Sequence, residues 1–111
     1  KTRRPRGGGA EGVWMERVHI IHTDNAAFYW DMLGSQKWVG ALARRLPARP
    51  INELTPVFRQ SHFKDIVVDE CPKLVRAIGL PERPIEDVVF ENIQTPNRIC
   101  DLQDVGRFII K

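Results

Sequence analysis

The sequence predicts an all-β fold, a parallel β-helix solenoid in which about four turns of chain, here called rungs, stack on one another. Three observations support this prediction. After Met15, branched and aromatic residues lie between turn-forming residues, as they do in strands. In four segments the apolar residues recur at a step of three and then at a step of two. These segments begin 48, 22 and 20 residues apart, and a recurring period of this size is typical of stacked repeats.

Each of the four segments is predicted to be one strand of a rung. They are Met15, Val18 and Ile20; Phe63, Ile66 and Val68; Ile85, Val88 and Phe90; and Val105, Phe108 and Ile110. Further strands are predicted at 26–32 and 74–80, because both stretches follow a polar or turn-like joint and end near a glycine. Residues 33–56 contain Gly34, Gly40 and three prolines, which predicts a long loop with a short helix near 39–46.

A leucine-rich repeat is the alternative solenoid, because it has the same apolar steps. It requires Asn or Cys at the ninth position, where this chain has Thr23, Cys71 and Ile93. The apolar positions contain almost no Leu, and no amphipathic helix fills the second half of each repeat. A parallel β-helix is favoured, because branched and aromatic residues form its interior ladders well.

The composition indicates one globular domain. The chain has 111 residues, of which 42% are hydrophobic and 28% charged, which excludes a disordered tail or a low-complexity linker. No apolar run approaches the roughly 18 residues of a membrane span. Two cysteines cannot build a disulfide framework. Two buried free thiols are expected at Cys71 and Cys100, and a single bridge between them is the alternative. We divide the domain into a basic Gly-rich loop (1–12), a first rung (13–32), a loop insertion (33–56) and further rungs (57–111).

Positive charge is concentrated at the start of the chain. Four of the 17 Lys and Arg residues lie among the first six residues. The rest of the chain has 13 basic and 14 acidic residues. Arg44, Arg45 and Arg49 form a second basic cluster. Such clusters suit an anionic partner, although a solvated arm without a partner has the same composition. Nucleic acid is not expected, because the arm lacks interleaved aromatic residues and the other residues are net negative.

Several stretches resemble family 28 glycoside hydrolases, the polygalacturonase family. KTRRPRGG at 1–8 resembles the segment at and after the Lys of that family's Arg-x-Lys motif. AFYWDM at 27–32, TPVFR at 55–59 and GLPERPI at 79–85 resemble later stretches in the same order, and EDVVFENI at 86–93 resembles the next rung. The resemblance covers nearly the whole chain. It implies a right-handed parallel β-helix of the pectin-lyase type, of which this chain is the C-terminal portion.

The resemblance implies hydrolysis of galacturonate-containing pectic polysaccharide with inversion. Inversion uses an acid and a base about 6.5–9.5 Å apart, and the family's carboxylates precede the Arg-x-Lys motif. No stretch here matches those elements, so we expect no catalytic residue in this chain and no hydrolysis by it alone. A secreted or periplasmic location follows only from the polymeric substrate. The alternative function is a non-catalytic β-helix module for carbohydrate binding or adhesion.

The same resemblance places Lys1 on a substrate-binding lysine, with Arg4 and Arg6 as weaker candidates for a groove that holds galacturonate carboxylates. Tyr29, Trp30 and Asp31, together with Trp38, are further candidates, because aromatic faces stack on sugar rings. Packing in the core is the alternative for these residues, because alternate residues of a strand point inward.

No metal or other cofactor is expected. His19, His22 and His62 lack metal-ligand spacing with Cys or acidic residues, which indicates surface or stacked positions. The expected ligand is an oligogalacturonate. The chain is also expected to self-associate through the open end of the β-helix, where strand edges and apolar residues lack a covering rung. The alternative is that it folds with its first rung frayed.

Overall fold

The computed structural model describes residues 2–4, 6–34, 37 and 40–111. The regular elements of these residues are strands and one short 3-10 helix at Gly40–Ala43. The strands are β1 (Gly9–His22), β2 (Ala26–Asp31), β3 (Val57–Glu70), β4 (Lys73–Ile78), β5 (Glu86–Gln94), β6 (Cys100–Gln103) and β7 (Phe108–Ile110). No helix in the described ranges is long and apolar enough to cross a membrane.

The strands form two parallel sheets. Odd-numbered strands make a four-stranded sheet in the order β1-β3-β5-β7, and even-numbered strands make a three-stranded sheet in the order β2-β4-β6. Every pairing between named strands is parallel. The chain therefore alternates between the sheets and returns to each of them one strand further along. The predicted all-β class with parallel strands is confirmed.

An aromatic cluster forms the centre of the hydrophobic core. Phe28 and Trp30 of β2 meet Phe63 of β3 and Phe90 of β5 with ring centroids 4.9–6.4 Å apart. Phe63 and Phe90 are register partners, and their rings stack with centroids 5.0 Å apart. Contacts between rings on adjacent and facing strands hold the two sheets together.

Left-handed residues explain the step of three in three of the four apolar segments, and in the third segment Asp87, with φ of 55°, lies between Ile85 and Val88. Arg17, Asp65 and Asn92 have φ of 55°, and they lie at equivalent register positions of β1, β3 and β5. Each one bends its strand, so that the next inward-facing residue comes three positions later instead of two. Asn92 Nδ2 donates a hydrogen bond to Asp65 Oδ1 at 2.7 Å, which links two of these bends. Asn and Asp adopt positive φ more readily than other non-glycine residues.

The register confirms two of the three predicted offsets and corrects the third. Met15 pairs with Phe63 at an offset of 48, and Ile85 pairs with Val105 at an offset of 20. Phe63 pairs with Phe90, so the middle offset is 27 and not 22. The prediction placed Phe63 against Ile85, five residues too early along β5.

The first strand begins earlier than predicted. β1 starts at Gly9, which pairs with Val57, so the Gly-rich loop ends before that residue. Gly9 has φ of 120°, and a Cβ there would lie 1.6 Å from the Val57 carbonyl oxygen. Only glycine, which has no Cβ, can come this close to the Val57 carbonyl. The glycine at position 9 is therefore needed for close strand pairing and not for a loop.

The other predicted elements lie close to their expected places. β2 falls within the predicted strand at 26–32, and β4 begins at Lys73, one residue before the predicted strand at 74–80. Of the predicted helix near 39–46, the described residues show only the 3-10 helix at Gly40–Ala43. No strand is assigned to the described residues between β2 and β3, which agrees with the predicted long loop.

Candidate functional site

A groove of about 380 Å³ lies beside the three-stranded sheet. It is bordered by residues of β2, β4 and β6 and by part of the long loop. Its lining comprises Tyr29, Asp31, Leu33, Gly34, Ala43, Arg45, Arg76, Ile78 and Gln103. We call it the β2-β4-β6 groove.

Strand alternation places Tyr29 in this groove. Phe28 and Trp30 are in the core, so Tyr29 and Asp31 lie on the opposite face of β2. Tyr29 is 39% exposed, and its register partner on β4 is Arg76. The guanidinium carbon of Arg76 lies 5.2 Å from the centroid of the Tyr29 ring, which is the geometry of a cation–π contact.

Arg76 keeps unused capacity for hydrogen bonds. Its Nε is buried and has no hydrogen-bond partner, and Arg76 forms no ion pair among the residues that the structure describes. A guanidinium presents planar, forked donors that match a carboxylate. The groove therefore combines an aromatic ring with a guanidinium that forms no ion pair in the described part of the chain.

The long loop brings a second guanidinium to the groove. Arg45 Nε and Nη2 donate to the two carboxylate oxygens of Asp104 at 2.7 and 2.8 Å. This bidentate pair holds the segment after the 3-10 helix against the chain that follows β6. Arg45 remains about half exposed, so the ion pair that it forms with Asp104 borders the groove.

Asp31 has a structural role at the floor of the groove. It is 4% exposed, and its Oδ1 accepts hydrogen bonds from the backbone N–H groups of Leu33 and Gly34 at 2.9 and 2.8 Å. These bonds close the turn after β2. Asp31 lines the β2-β4-β6 groove, with this oxygen bound to the backbone, and its predicted role toward a sugar stays a prediction.

Arg4, predicted as a groove cation, is instead buried with Glu82. Arg4 is 3% exposed, its Nε donates to Glu82 Oε2 at 2.6 Å, and its Nη2 donates to Glu82 Oε1. Burial opposes ionisation of Glu82, but the hydrogen bonds from Arg4 and the backbone outweigh it and lower the pKa of that carboxyl. The pair joins the N-terminal loop to the turn before β5, and Arg4 presents no charge to the β2-β4-β6 groove.

The other predicted ligands lie in different surroundings. Trp30 is 9% exposed and packs against Phe63, so the alternative of core packing applies to it. Arg6 is exposed on the N-terminal loop. Lys1 and Trp38 lie outside the described residues, and the binding role of Lys1 stays a prediction.

Sequence reasoning missed Arg76 and Gln103 as groove residues. Arg45 belonged to a recognised basic cluster, but it was not connected to Tyr29. The missing information was the offset of 47 between β2 and β4, which sets Arg76 beside Tyr29. The separation between the predicted strands at 26–32 and 74–80 was the available signal.

The three histidines each bond to a carboxylate on the neighbouring strand or joint. His19 Nε2 lies 2.8 Å from Asp69 Oδ2, and His62 Nε2 lies 3.1 Å from Glu91 Oε2. His22 bridges Glu70 and Asp24. His62 also stacks on Trp14. In the described part of the chain no group of three or more His, Cys, Asp or Glu residues is arranged to hold a metal, and the half-buried Cys71 and Cys100 are free thiols.

His22 makes stability depend on pH. Hydrogen bonds that its ring donates, first to the Asp24 carboxylate and then to the Glu70 carboxylate, raise its pKa above the ordinary 6.5. Its stabilising contribution is therefore complete below about pH 6.5 and is lost as the pH rises through the higher folded pKa. We expect His22→Gln to lower the urea midpoint more at about pH 5.5 than at about pH 8.5. An equal loss at both pH values would contradict this assignment.

Comparison with known proteins gave no match: no family model, curated protein or solved structure matches the chain.

Proposed function

We propose that the chain is part of a right-handed parallel β-helix that binds an acidic, galacturonate-containing polysaccharide in the β2-β4-β6 groove. The observation that carries the proposal is the contact between Arg76 and the exposed ring of Tyr29. The alternation of the chain between two parallel sheets supports the β-helix. Four stacked strands in the larger sheet agree with about four rungs.

The chemistry of the groove suits a sugar acid. The Tyr29 ring offers an apolar face to the C–H face of a pyranose, and the Arg76 guanidinium offers a forked pair of donors to its carboxylate. Arg45, which is paired with Asp104, borders the groove as a second guanidinium, and the Gln103 amide can donate to and accept from hydroxyl groups. A neutral sugar would leave the Arg76 charge unmatched.

The parent activity that we propose is inverting hydrolysis of pectic polysaccharide, with this chain as the C-terminal part of the enzyme. Inversion needs two carboxyl groups about 6.5–9.5 Å apart, one acting as acid and one as base. Of the groove carboxylates, Asp31 closes a turn and Asp104 holds Arg45. The chain would therefore orient substrate and supply scaffold, and it would not cleave the polysaccharide by itself. A polymeric substrate implies a secreted or periplasmic protein.

A non-catalytic carbohydrate-binding or adhesion module is the second candidate. The engagement of Asp31 and Asp104 in structural bonds favours it, because neither carboxylate is placed to act on a ligand as acid or base. The two candidates predict the same binding by this chain. They differ in whether a longer parent protein carries a pair of catalytic carboxylates.

Titration of the chain with trigalacturonate at low ionic strength tests the proposed groove. We expect binding by the wild-type chain. We expect Arg76→Gln to weaken binding about 10- to 100-fold, since a charge-assisted hydrogen bond contributes about 1.5–3 kcal/mol. Tyr29→Ala should weaken binding several-fold by removing the stacking surface. Isothermal titration calorimetry measures both effects, and neutral galactose trimers should not bind.

Arg59→Gln is the matched control. Arg59 is an exposed arginine on the four-stranded sheet, where it pairs with Glu11 at 3.0 Å. The Arg59→Gln substitution removes one positive charge, as Arg76→Gln does, but at a distance from the groove. Equal losses of affinity in the two variants would mean that trigalacturonate is attracted by the overall charge and not by the groove. Absence of binding by the wild-type chain would reject the proposed ligand.

A further inference from the structure

The free edge of β1 exposes side chains that belong to the inner face of its sheet. Met15 is 40% exposed, whereas its partner Phe63 on β3 is 5% exposed. Val18 is half-buried, while its partner Ile66 is fully buried. An unpaired edge next to open apolar side chains is a template for another strand. At the opposite edge of the same sheet, all residues of β7 are half-buried.

We propose that a second copy of the chain covers β1 with its own β7, so that the two four-stranded sheets continue as one parallel sheet. The register follows from the pairs already present. Phe108–Ile110 pairs with 88–90 of β5, which is equivalent through β3 to 13–15 of β1. Residues 13–15 lie between the left-handed residues Gly12 and Arg17, so the short β7 meets an unbent part of β1.

The free edge of β7 has backbone groups available for this pairing. Val88 N–H donates to the Arg107 carbonyl, and Lys111 N–H donates to the Phe90 carbonyl. Backbone groups of successive residues in a strand point to opposite sides. Those of Phe108 and Ile110 therefore point away from β5, toward the edge that the second copy would meet.

Charge complementarity supports the head-to-tail arrangement. Glu16, Lys64 and Glu91 occupy one register row of β1, β3 and β5, and Lys111 follows β7 at the corresponding position. Signs alternate along this row. Lys111 of a second copy would lie opposite Glu16 and continue the alternation. In the neighbouring row, Ile109 of the second copy would cover Trp14, which is 58% exposed.

Antiparallel pairing of two β1 strands does not satisfy these constraints. Both strands are bent at Gly12 and Arg17, and the bends coincide only when each Gly12 lies opposite an Arg17. Trp14, on the outer face, would then lie opposite Met15, on the inner face. Head-to-tail contact is heterologous, so it produces chains or rings instead of stopping at a dimer. The inference does not depend on the ligand bound in the β2-β4-β6 groove. It concerns the 111-residue chain by itself, because a preceding rung of a longer parent β-helix would occupy the same edge of β1.

Sedimentation velocity over about a hundredfold range of concentration tests the proposal. Each protein carries a short Gly-Ser extension, so that the terminal carboxylate lies away from Glu16. The wild-type chain should grow beyond a dimer from its 12.8 kDa monomer. Glu16→Lys and Lys111→Glu each place like charges across the contact, and each should weaken association about fivefold.

An equimolar mixture of the two variants should regain the association of the wild type, because each variant supplies the edge charge that the other needs. Lys73→Glu is the control, since it makes the same change of charge on the three-stranded sheet and should have no effect. Circular dichroism verifies that each variant is folded. A wild-type chain that stays monomeric, a mass that stops at a dimer, or a mixture that fails to recover would each overturn the proposed contact.

Discussion

Glu82→Gln is expected to destabilise the fold by about 3 kcal/mol, because it leaves the buried Arg4 guanidinium without a counter-charge. Arg4 is 3% exposed, and two of its nitrogens donate to the Glu82 carboxylate. Arg4 Nη1 already lacks a hydrogen-bond acceptor in the described structure, so no second acceptor is placed there to replace the Glu82 carboxylate. Urea denaturation at neutral pH measures the loss.

Two further variants separate burial from charge pairing. Glu11→Gln breaks the exposed pair with Arg59 and should cost less than about 1 kcal/mol. The double variant Arg4→Met/Glu82→Leu replaces both charges by apolar groups and should recover most of the stability. Equal costs for Glu82→Gln and Glu11→Gln would show that burial of the pair does not matter.

The contribution of the Arg4–Glu82 ion pair to stability also depends on pH in the acid range. Because the folded pKa of Glu82 is lowered, its contribution is present above the unfolded value of 4.5 and is lost as the pH falls through the folded pKa. The stability difference between the wild type and Glu82→Gln should therefore shrink in acid.

Phe90→Ala is expected to cost about 4 kcal/mol, near the whole stability of a marginal domain. Phe90 is fully buried, and its ring lies 4.9 Å from Phe28, 5.0 Å from Phe63 and 5.6 Å from Phe108. Its removal leaves a cavity between both sheets and breaks several ring contacts. Urea denaturation and near-ultraviolet circular dichroism report the loss.

Ile21→Ala is the control for Phe90→Ala. Ile21 is 68% exposed on β1, so its truncation should change stability by less than about 0.5 kcal/mol. Phe90→Leu should have an intermediate cost, because it retains much of the apolar volume. A cost for Phe90→Ala no larger than that of Ile21→Ala would mean that this aromatic cluster does not hold the sheets together.

The candidate site was partly predictable from local pattern. Alternation along β2 put Tyr29 and Asp31 on one face and Trp30 on the other, but local sequence did not say which face was the core. The position of Arg4 in a basic, Gly-rich stretch suggested an exposed cation. Its burial depends on Glu82, 78 residues away in sequence, and no local pattern reports a contact over that distance.

Local sequence was enough to predict the all-β class, every strand except β6, and most of the inward-facing residues, because the steps of three and two record the bends in each strand. It did not determine the register between β3 and β5. Both strands contain two left-handed residues five positions apart, Gln60 and Asp65 in one and Asp87 and Asn92 in the other. A shift of five residues therefore preserves the apolar pattern. Only tertiary packing, which stacks Phe63 on Phe90, decided between the two registers, because ring contacts distinguish residues that the pattern treats as equivalent.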